Sequence, residues 1–285
     1  MAVTLDKIIK VYTFLNEDLA DPRTKDLFLI GNLWCVPFMN IFYLFFANKV
    51  GLKFMEKRQP YEINRIIQIY NVLQIIINLY LFFMVSYAMW LINFNFRCEP
   101  IDYSNTPNNI LICRLTWYYF LLKIVDWLDT IFFILKKKQN NVSFLHLYHH
   151  SAVVLGTWIG VKYVPGGQAI LLGILNTFIH AIMYTYYLLS SMKINVQWWK
   201  KYLTQLQIIQ FLILTYQFSL IFVVNCNYPQ WIAIIAVTQN VTMLLLFVDF
   251  YYKTYLIPAN TVAAWKIKAN DVSAELNPNG KLKEQ

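Results

Sequence analysis

From Ile66 to Ile92 this chain runs without a charged side chain, with Asn and Gln as its polar breaks. A bilayer crossing takes about 20 predominantly apolar residues, and this run exceeds that. Six further apolar runs of comparable length give expected spans at roughly 28–46, 66–92, 111–135, 144–163, 168–189, 203–224 and 230–252. The fold class that follows is an all-α integral membrane protein with seven transmembrane helices. Charged residues make up only 14 % of the chain, where a soluble domain carries about 25 %. The third run is the least regular, because Lys123, Asp126 and Asp129 lie inside it. The fourth and fifth are parted only by "KYVPGGQ", whose Pro165-Gly166-Gly167 is a strong break signal.

Orientation follows from the basic residues between spans. Sixteen lie on the side holding the 47–65, 136–143 and 190–202 loops and the C-terminal segment, against six on the other side. The tail is therefore expected in the cytosol and the N-terminus in the lumen, as an odd span count requires. This divides the chain into a lumenal segment 1–27, a seven-helix membrane domain 28–252 and a cytosolic tail 253–285. Met1–Asp26 has no apolar core of a cleavable signal, so insertion is expected to rely on the first span. Cys98 and Cys226 fall in the two lumenal loops "NFRCEP" and "VNCNYP", an oxidising side, and are expected to pair. Asn141 and Asn240 head N-x-[ST] sequons that this topology places in the cytosol and inside a span, where neither is glycosylated.

The ionisable and amide side chains recur at helical spacing within the spans. The third carries Lys123, Asp126 and Asp129. The fourth carries His146, His149 and His150. The fifth carries Asn176, His180, Tyr184 and Tyr187, and the sixth Thr204, Gln207 and Gln210. Residues three and four apart share a helix face, and all four stripes fall toward the cytosolic half. Ionisable groups at that depth mark a functional cavity rather than helix glue. Stretches such as "VVLGTWIGV" and "AVTQNVTMLLL" make the lumenal halves apolar. A pocket with a polar mouth and an apolar interior suits an amphiphile with a charged head and a long tail. His146 and His150, four apart, could ligate one ion with help from the aspartates, but histidine-box di-iron oxygenases and desaturases use many more histidines than the four present. No metal is therefore assigned. Neutral imidazole can instead act as base or nucleophile in acyl transfer. A seven-span receptor or carrier shares the topology, but a receptor would bind its ligand from the lumenal side, whereas these polar residues cluster toward the cytosol.

The chain resembles the very-long-chain fatty acid elongase family, the 3-oxoacyl-CoA synthases of the endoplasmic reticulum. "KIVDWLDT", "VSFLHLYHH", "NTFIHAIMYTYY" and "TQLQIIQF" are similar to its four signature boxes in order, and "DPRTKDLFLI", "GLKFMEKRQPYEINRIIQIYNVLQ" and "RCEPIDYSNTP" to its N-terminal half. Asp126 stands where the family's first box has Glu, and Asn141 where it has Gln. The resemblance implies condensation of a long-chain acyl-CoA with malonyl-CoA, without a cofactor. It also implies six helices forming an inverted barrel around an acyl-CoA tunnel, with the seventh outside. Carried onto this chain, it makes His149 the acyl-accepting nucleophile or a general base. His180 and Asn176 would stabilise the enolate, while His146, His150, Asp126 and Asp129 complete the shell. Lys136, Lys137 and Lys138 would meet the CoA phosphates, and Lys123, Tyr184, Tyr187, Thr204, Gln207 and Gln210 would line or bind. Implied partners are membrane lipid, the ketoacyl reductase, dehydratase and enoyl reductase that follow in the cycle, and a second copy in a homodimer; nucleic acid is not among them. "KLKEQ" at the end resembles a K-x-K-x-x retrieval signal through Lys281 and Lys283.

Overall fold

A computed structural model describes residues 2–257, all of whose regular structure is helical. Lys281, Lys283 and all but the first residues of the expected tail lie outside the described residues. Five helices are long and apolar enough to cross a membrane: Cys35–Met55, Asn64–Leu91, Gly167–Ser191, Gln197–Val223 and Gln230–Leu256. The protein is thus an all-helical, multi-pass membrane protein. In chain order the helices are α1 (Ala2–Thr13), α2 (Cys35–Met55, with a π-helical turn at Phe46–Val50), α3 (Asn64–Leu91) and α4 (Pro107–Val125). After these come α5 (Leu128–Leu135), α6 (Phe144–Tyr163), α7 (Ile170–Ser191), α8 (Gln197–Val223) and α9 (Gln230–Tyr251).

Two expected spans need correction. The first is not 28–46 but Cys35–Met55. The apolar "FLIGN" preceding it cannot continue a helix, because Leu29 takes φ 69° and a Cβ on Gly31 would sit 2.9 Å from the Lys25 carbonyl oxygen. Ile30 turns inward there and is fully buried. At the far end Lys49 and Lys53 do not stop the helix, since both keep their ends exposed while the backbone continues. The third expected span, 111–135, is two helices that break at Asp126–Trp127. The aspartates flank that break, which allows both to reach one hydroxyl on α7, described below.

Local chemistry sets where the functional helices begin. Thr106 caps α4, its Oγ1 accepting the Asn109 N–H at 3.3 Å, with Pro107 at the first helical position. Ser143 caps α6 and its Oγ accepts the His146 N–H at 3.2 Å, so the cap places the first histidine one turn into the helix. Pairwise, α3 packs on α4 and α7, α4 on α6, α6 on α9, α9 on α8, and α8 on α7. Helix α2 lies against α6 and α5.

One end of the assembly is tied shut. Cys98 and Cys226 form a disulfide between the loop after α3 and the loop after α8, with Cα atoms 5.6 Å apart. Gln168 Nε2 donates to the Gln217 carbonyl at 3.2 Å and Gln217 Nε2 to the Gln168 carbonyl at 3.0 Å. Gly166 and Gly167 make the "PGG" turn with φ 107° and 56°, and a Cβ on Gly166 would meet Ile112 at 2.8 Å. The N-terminal segment is fastened to the same end. Lys162, the first residue of "KYVPGGQ", has no exposed surface and donates to the Ile30 carbonyl at 2.9 Å and to Asn16 Oδ1 at 3.0 Å. Arg23 pairs with Asp21 at 2.6 Å and donates to the Asp102 carbonyl at 2.7 Å.

Candidate active site

A cavity of about 190 Å³ lies between α3, α4, α6, α7, α8 and α9. Its walls are graded. Tyr119, His149, Asn176, Gln210, Gln239 and Asn240 supply polar groups, whereas Val85, Val153, Val164, Ile170, Phe218 and Ile232 carry it on toward Tyr228 and the disulfide end. The α6 residues lining it run from His149 to Gly160, which at 1.5 Å per residue is about 17 Å. His149 is the one histidine of the four that lines it.

Beside the polar end lies a buried charge network. Lys123 Nζ donates to Asp126 Oδ2 at 2.8 Å, and the side chains are 3 % and 2 % exposed. Unpaired, either charge would be costly at that burial; paired, they are admissible. Lys123 Nζ also lies 3.4 Å from His180 Nδ1. An ammonium only donates, so Nδ1 accepts and the His180 proton resides on Nε2. The other oxygen of Asp126 accepts from Gln74 Nε2 at 2.9 Å. Tyr184, without exposed surface, reaches both carboxylates, donating to Asp129 Oδ2 at 2.8 Å and lying 3.1 Å from Asp126 Oδ1. Tyr119 donates to Asn176 Oδ1 at 2.8 Å. That bond leaves the Asn176 amide nitrogen as the cavity-side donor.

The remaining histidines are held from α5 and α2. His146 Nε2 lies 2.8 Å from Thr130 Oγ1, which lies 2.8 Å from Tyr43 OH. The His146 and His150 rings, one turn apart, have centroids 4.3 Å apart. Trp127 donates from Nε1 to the His150 carbonyl at 3.2 Å and stacks on Tyr43 at 4.5 Å. Among the described residues no group of three His, Cys, Asp or Glu side chains converges in a way that could hold a metal ion.

Not every residue expected in the site has the expected surroundings. His149, Asn176 and Gln210 line the cavity; His146, His150, His180, Lys123, Asp126, Asp129 and Tyr184 form the layer behind it. Of the two aspartates, Asp126 comes within 3.6 Å of an imidazole, that of His180, while Asp129 binds Tyr184. Tyr187 packs on Tyr184 at 5.9 Å, Gln207 is half-buried, and Thr204 hydrogen-bonds to its own helix at the Lys200 carbonyl. Lys136 donates to Asn64 Oδ1 and Lys137 to the Glu56 carbonyl, while Lys138 is exposed on the same loop. Sequence reasoning passed over Tyr70, Gln74 and Asn78, although their four-residue spacing on α3 was a legible stripe; Gln74 donates to Tyr70 and Asn78 to Gln74. It also passed over Gln239 and Asn240 by reading "AVTQNVTMLLL" as apolar.

A polar pocket end with one imidazole is thus backed by a buried Lys–Asp–His–Tyr network and continued by an apolar cavity among membrane-spanning helices. Comparison gives the family. Residues 28–263 match the model of the ELO (GNS1/SUR4) family. The chain is 38 % identical over 264 residues to a very long chain fatty acid elongase of Aedes aegypti, covering 90 % of this chain and 72 % of that one. It is 38 % identical over 246 residues to very long chain fatty acid elongase 7 of Drosophila melanogaster (85 % and 75 % covered). With human very long chain fatty acid elongase 4 it shares 38 % over 262 residues (90 % and 82 %). The chain belongs to the ELO family, and it is an enzyme of fatty acid elongation.

Proposed function

We propose that this elongase joins a long-chain acyl-CoA to malonyl-CoA through an acyl-imidazole at His149, giving a 3-oxoacyl-CoA two carbons longer, CoA and CO₂. One observation carries the reading: His149 alone of the four histidines lines the cavity, where polar walls give way to an apolar interior. In the first half-reaction an imidazole nitrogen of His149 attacks the thioester carbonyl and CoA leaves as its thiol, with the imidazole proton going to the sulfur. The acyl tail occupies the apolar part of the cavity, and burying it there supplies about 0.8 kcal/mol per methylene. In the second, malonyl-CoA loses CO₂, and the resulting enolate attacks the acyl carbon, breaking the acyl–nitrogen bond and freeing His149, whose departing nitrogen takes up one proton from solvent to restore the neutral imidazole. The amide of Asn176, which lines the cavity, is the donor suited to that enolate oxygen, with the Nε2–H of His180 in the layer behind it. Lys123 holds His180 in the required tautomer. The usual alternative nucleophile is cysteine, but Cys98 and Cys226 are oxidised to each other, and neither Cys35 nor Cys113 lines the cavity.

The same reading extends to architecture. The packings of α3, α4, α6, α9, α8 and α7 run in a cycle, which supports six spans closed around an acyl tunnel with α2 outside. The α4–α5 pair and α6 would then be spans as well, making seven. Their charged and histidine side chains face the interior network, which accounts for their lower apolarity. The charge bias puts Lys136–Lys138 at the cytosolic mouth, beside the CoA phosphates, and the disulfide in the lumen of the endoplasmic reticulum.

Incubating the purified protein with stearoyl-CoA and no malonyl-CoA, followed by intact mass measurement, tests the chemistry. An added acyl mass that is absent in His149→Ala, and that leaves as 3-oxoacyl-CoA on adding malonyl-CoA, is expected. An active preparation without an adduct would replace the covalent step by direct condensation.

A further inference from the structure

The polar contacts of α2 reach the histidine helix although α2 supplies no wall of the cavity. Tyr43 is 5 % exposed, and among the described residues the hydroxyl on its buried ring has a single partner, Thr130 Oγ1 at 2.8 Å. Thr130 is fully buried and its hydroxyl has two partners, Tyr43 and His146 Nε2, the latter also at 2.8 Å. Each hydroxyl has one proton to give. Were His146 to donate from Nε2, Thr130 would pass its own proton to Tyr43, and the Tyr43 proton would be buried without an acceptor. The opposite order satisfies every group: Tyr43 donates to Thr130, and Thr130 donates to His146 Nε2. Nε2 is then an acceptor, and the single proton of a neutral His146 sits on Nδ1.

We propose that Tyr43 is a positioning residue of the elongation site, fixing His146 in its Nδ1–H tautomer through Thr130. The inference rests on the reading of the histidine helix given above. It has a physical consequence within that helix. His146 packs against His150 at 4.3 Å, and His150 against His149 at 5.5 Å. A ring locked in one tautomer presents a constant face to its neighbours, so the imidazole at the cavity is held in one orientation. Tyr43 is itself immobilised by stacking on Trp127, with ring planes 5° apart, and Trp127 donates to the His150 carbonyl. One aromatic pair therefore anchors both the ring of His146 and the backbone of His150. In a histidine the hydrogen bond at one nitrogen decides which nitrogen carries the proton.

The test is Tyr43→Phe, which keeps the ring and its stack and removes one hydroxyl. With histidines labelled with nitrogen-15, the wild-type protein should show one imidazole in the Nδ1–H form that Tyr43→Phe converts to Nε2–H or to a mixture. The kcat for elongation should fall about tenfold to a hundredfold, as expected for a misaligned catalytic group, with KM for acyl-CoA nearly unchanged. Thr130→Ser should restore wild-type behaviour, Thr130→Val should match Tyr43→Phe, and the double variant should be no worse than Thr130→Val alone. An unchanged tautomer signature and unchanged kcat in Tyr43→Phe overturn the proposal, as does additive loss in the double variant. If Tyr43→Phe does not fold, the Thr130→Ser and Thr130→Val pair decides the matter by the same signature. The tautomer measurement needs no turnover, so an inert His149 in the adduct experiment refutes the covalent reading without touching this one.

Discussion

The two ends of the helix assembly are held together by different means. At the disulfide end, the ties are a covalent bond, two glutamine amides exchanging bonds with backbone carbonyls, and Lys162 buried against carbonyl oxygens. At the histidine end, Lys123, Asp126, Asp129, Tyr184 and Gln74 hold charges inside the protein by pairing them. The first arrangement mostly satisfies backbone and ties together the loops at the apolar end of the cavity. The second keeps ionisable groups water-poor and oriented, the condition under which they act on a substrate. Rigidity serves closure at one end and electrostatics at the other.

The contrast is broken most sharply by His149→Ala, which should lower elongation about a thousandfold or more, measured as malonyl-CoA incorporation, while leaving the thermal midpoint nearly unchanged. A modest loss of activity would move the chemistry to another histidine. Lys123→Met leaves Asp126 buried without its cation and should cost about 3–5 kcal/mol of stability, read as a large drop in the midpoint in detergent. A variant as stable as wild type would mean the network is not held by charge pairing. At the other end, Cys98→Ser opens a disulfide between residues separated by 128 positions and should cost about 2–5 kcal/mol. Its specific activity at low temperature should persist; parallel loss of activity would show that the ends are coupled. The smallest effect is expected from Gln74→Leu. It removes one donor to Asp126 and should cost about 1–3 kcal/mol, with a smaller fall in kcat than any change at His149.

Much of this was legible before any coordinates. Apolar length located the helices, because a bilayer permits little else, and the ends of four helices from α6 to α9 agree with expectation within a few residues apart from the start of α8, which begins six residues earlier. The correspondence failed where an apolar side chain was used for something other than a helix. "FLIGN" is a turn, and its Ile30 is a core residue reached by a left-handed leucine. It failed also at Asp126–Trp127, where helix spacing suggested one continuous stripe and the chain instead breaks between its two aspartates.

The sequence by itself determined that the chain spans a membrane, that histidines, aspartates and a lysine lie at helical spacing within it, and which family it joins. These are properties of composition and local periodicity, which need no knowledge of neighbours. Only the tertiary structure decided partnership: that Tyr184 bridges two carboxylates, that Gln74 joins them from a span whose Asn and Gln read only as polar breaks, and that His149 rather than its neighbours faces the cavity. Hydrogen bonds are short and directional, so their partners depend on how helices distant in sequence are rotated against one another, and no spacing within a single helix contains that angle.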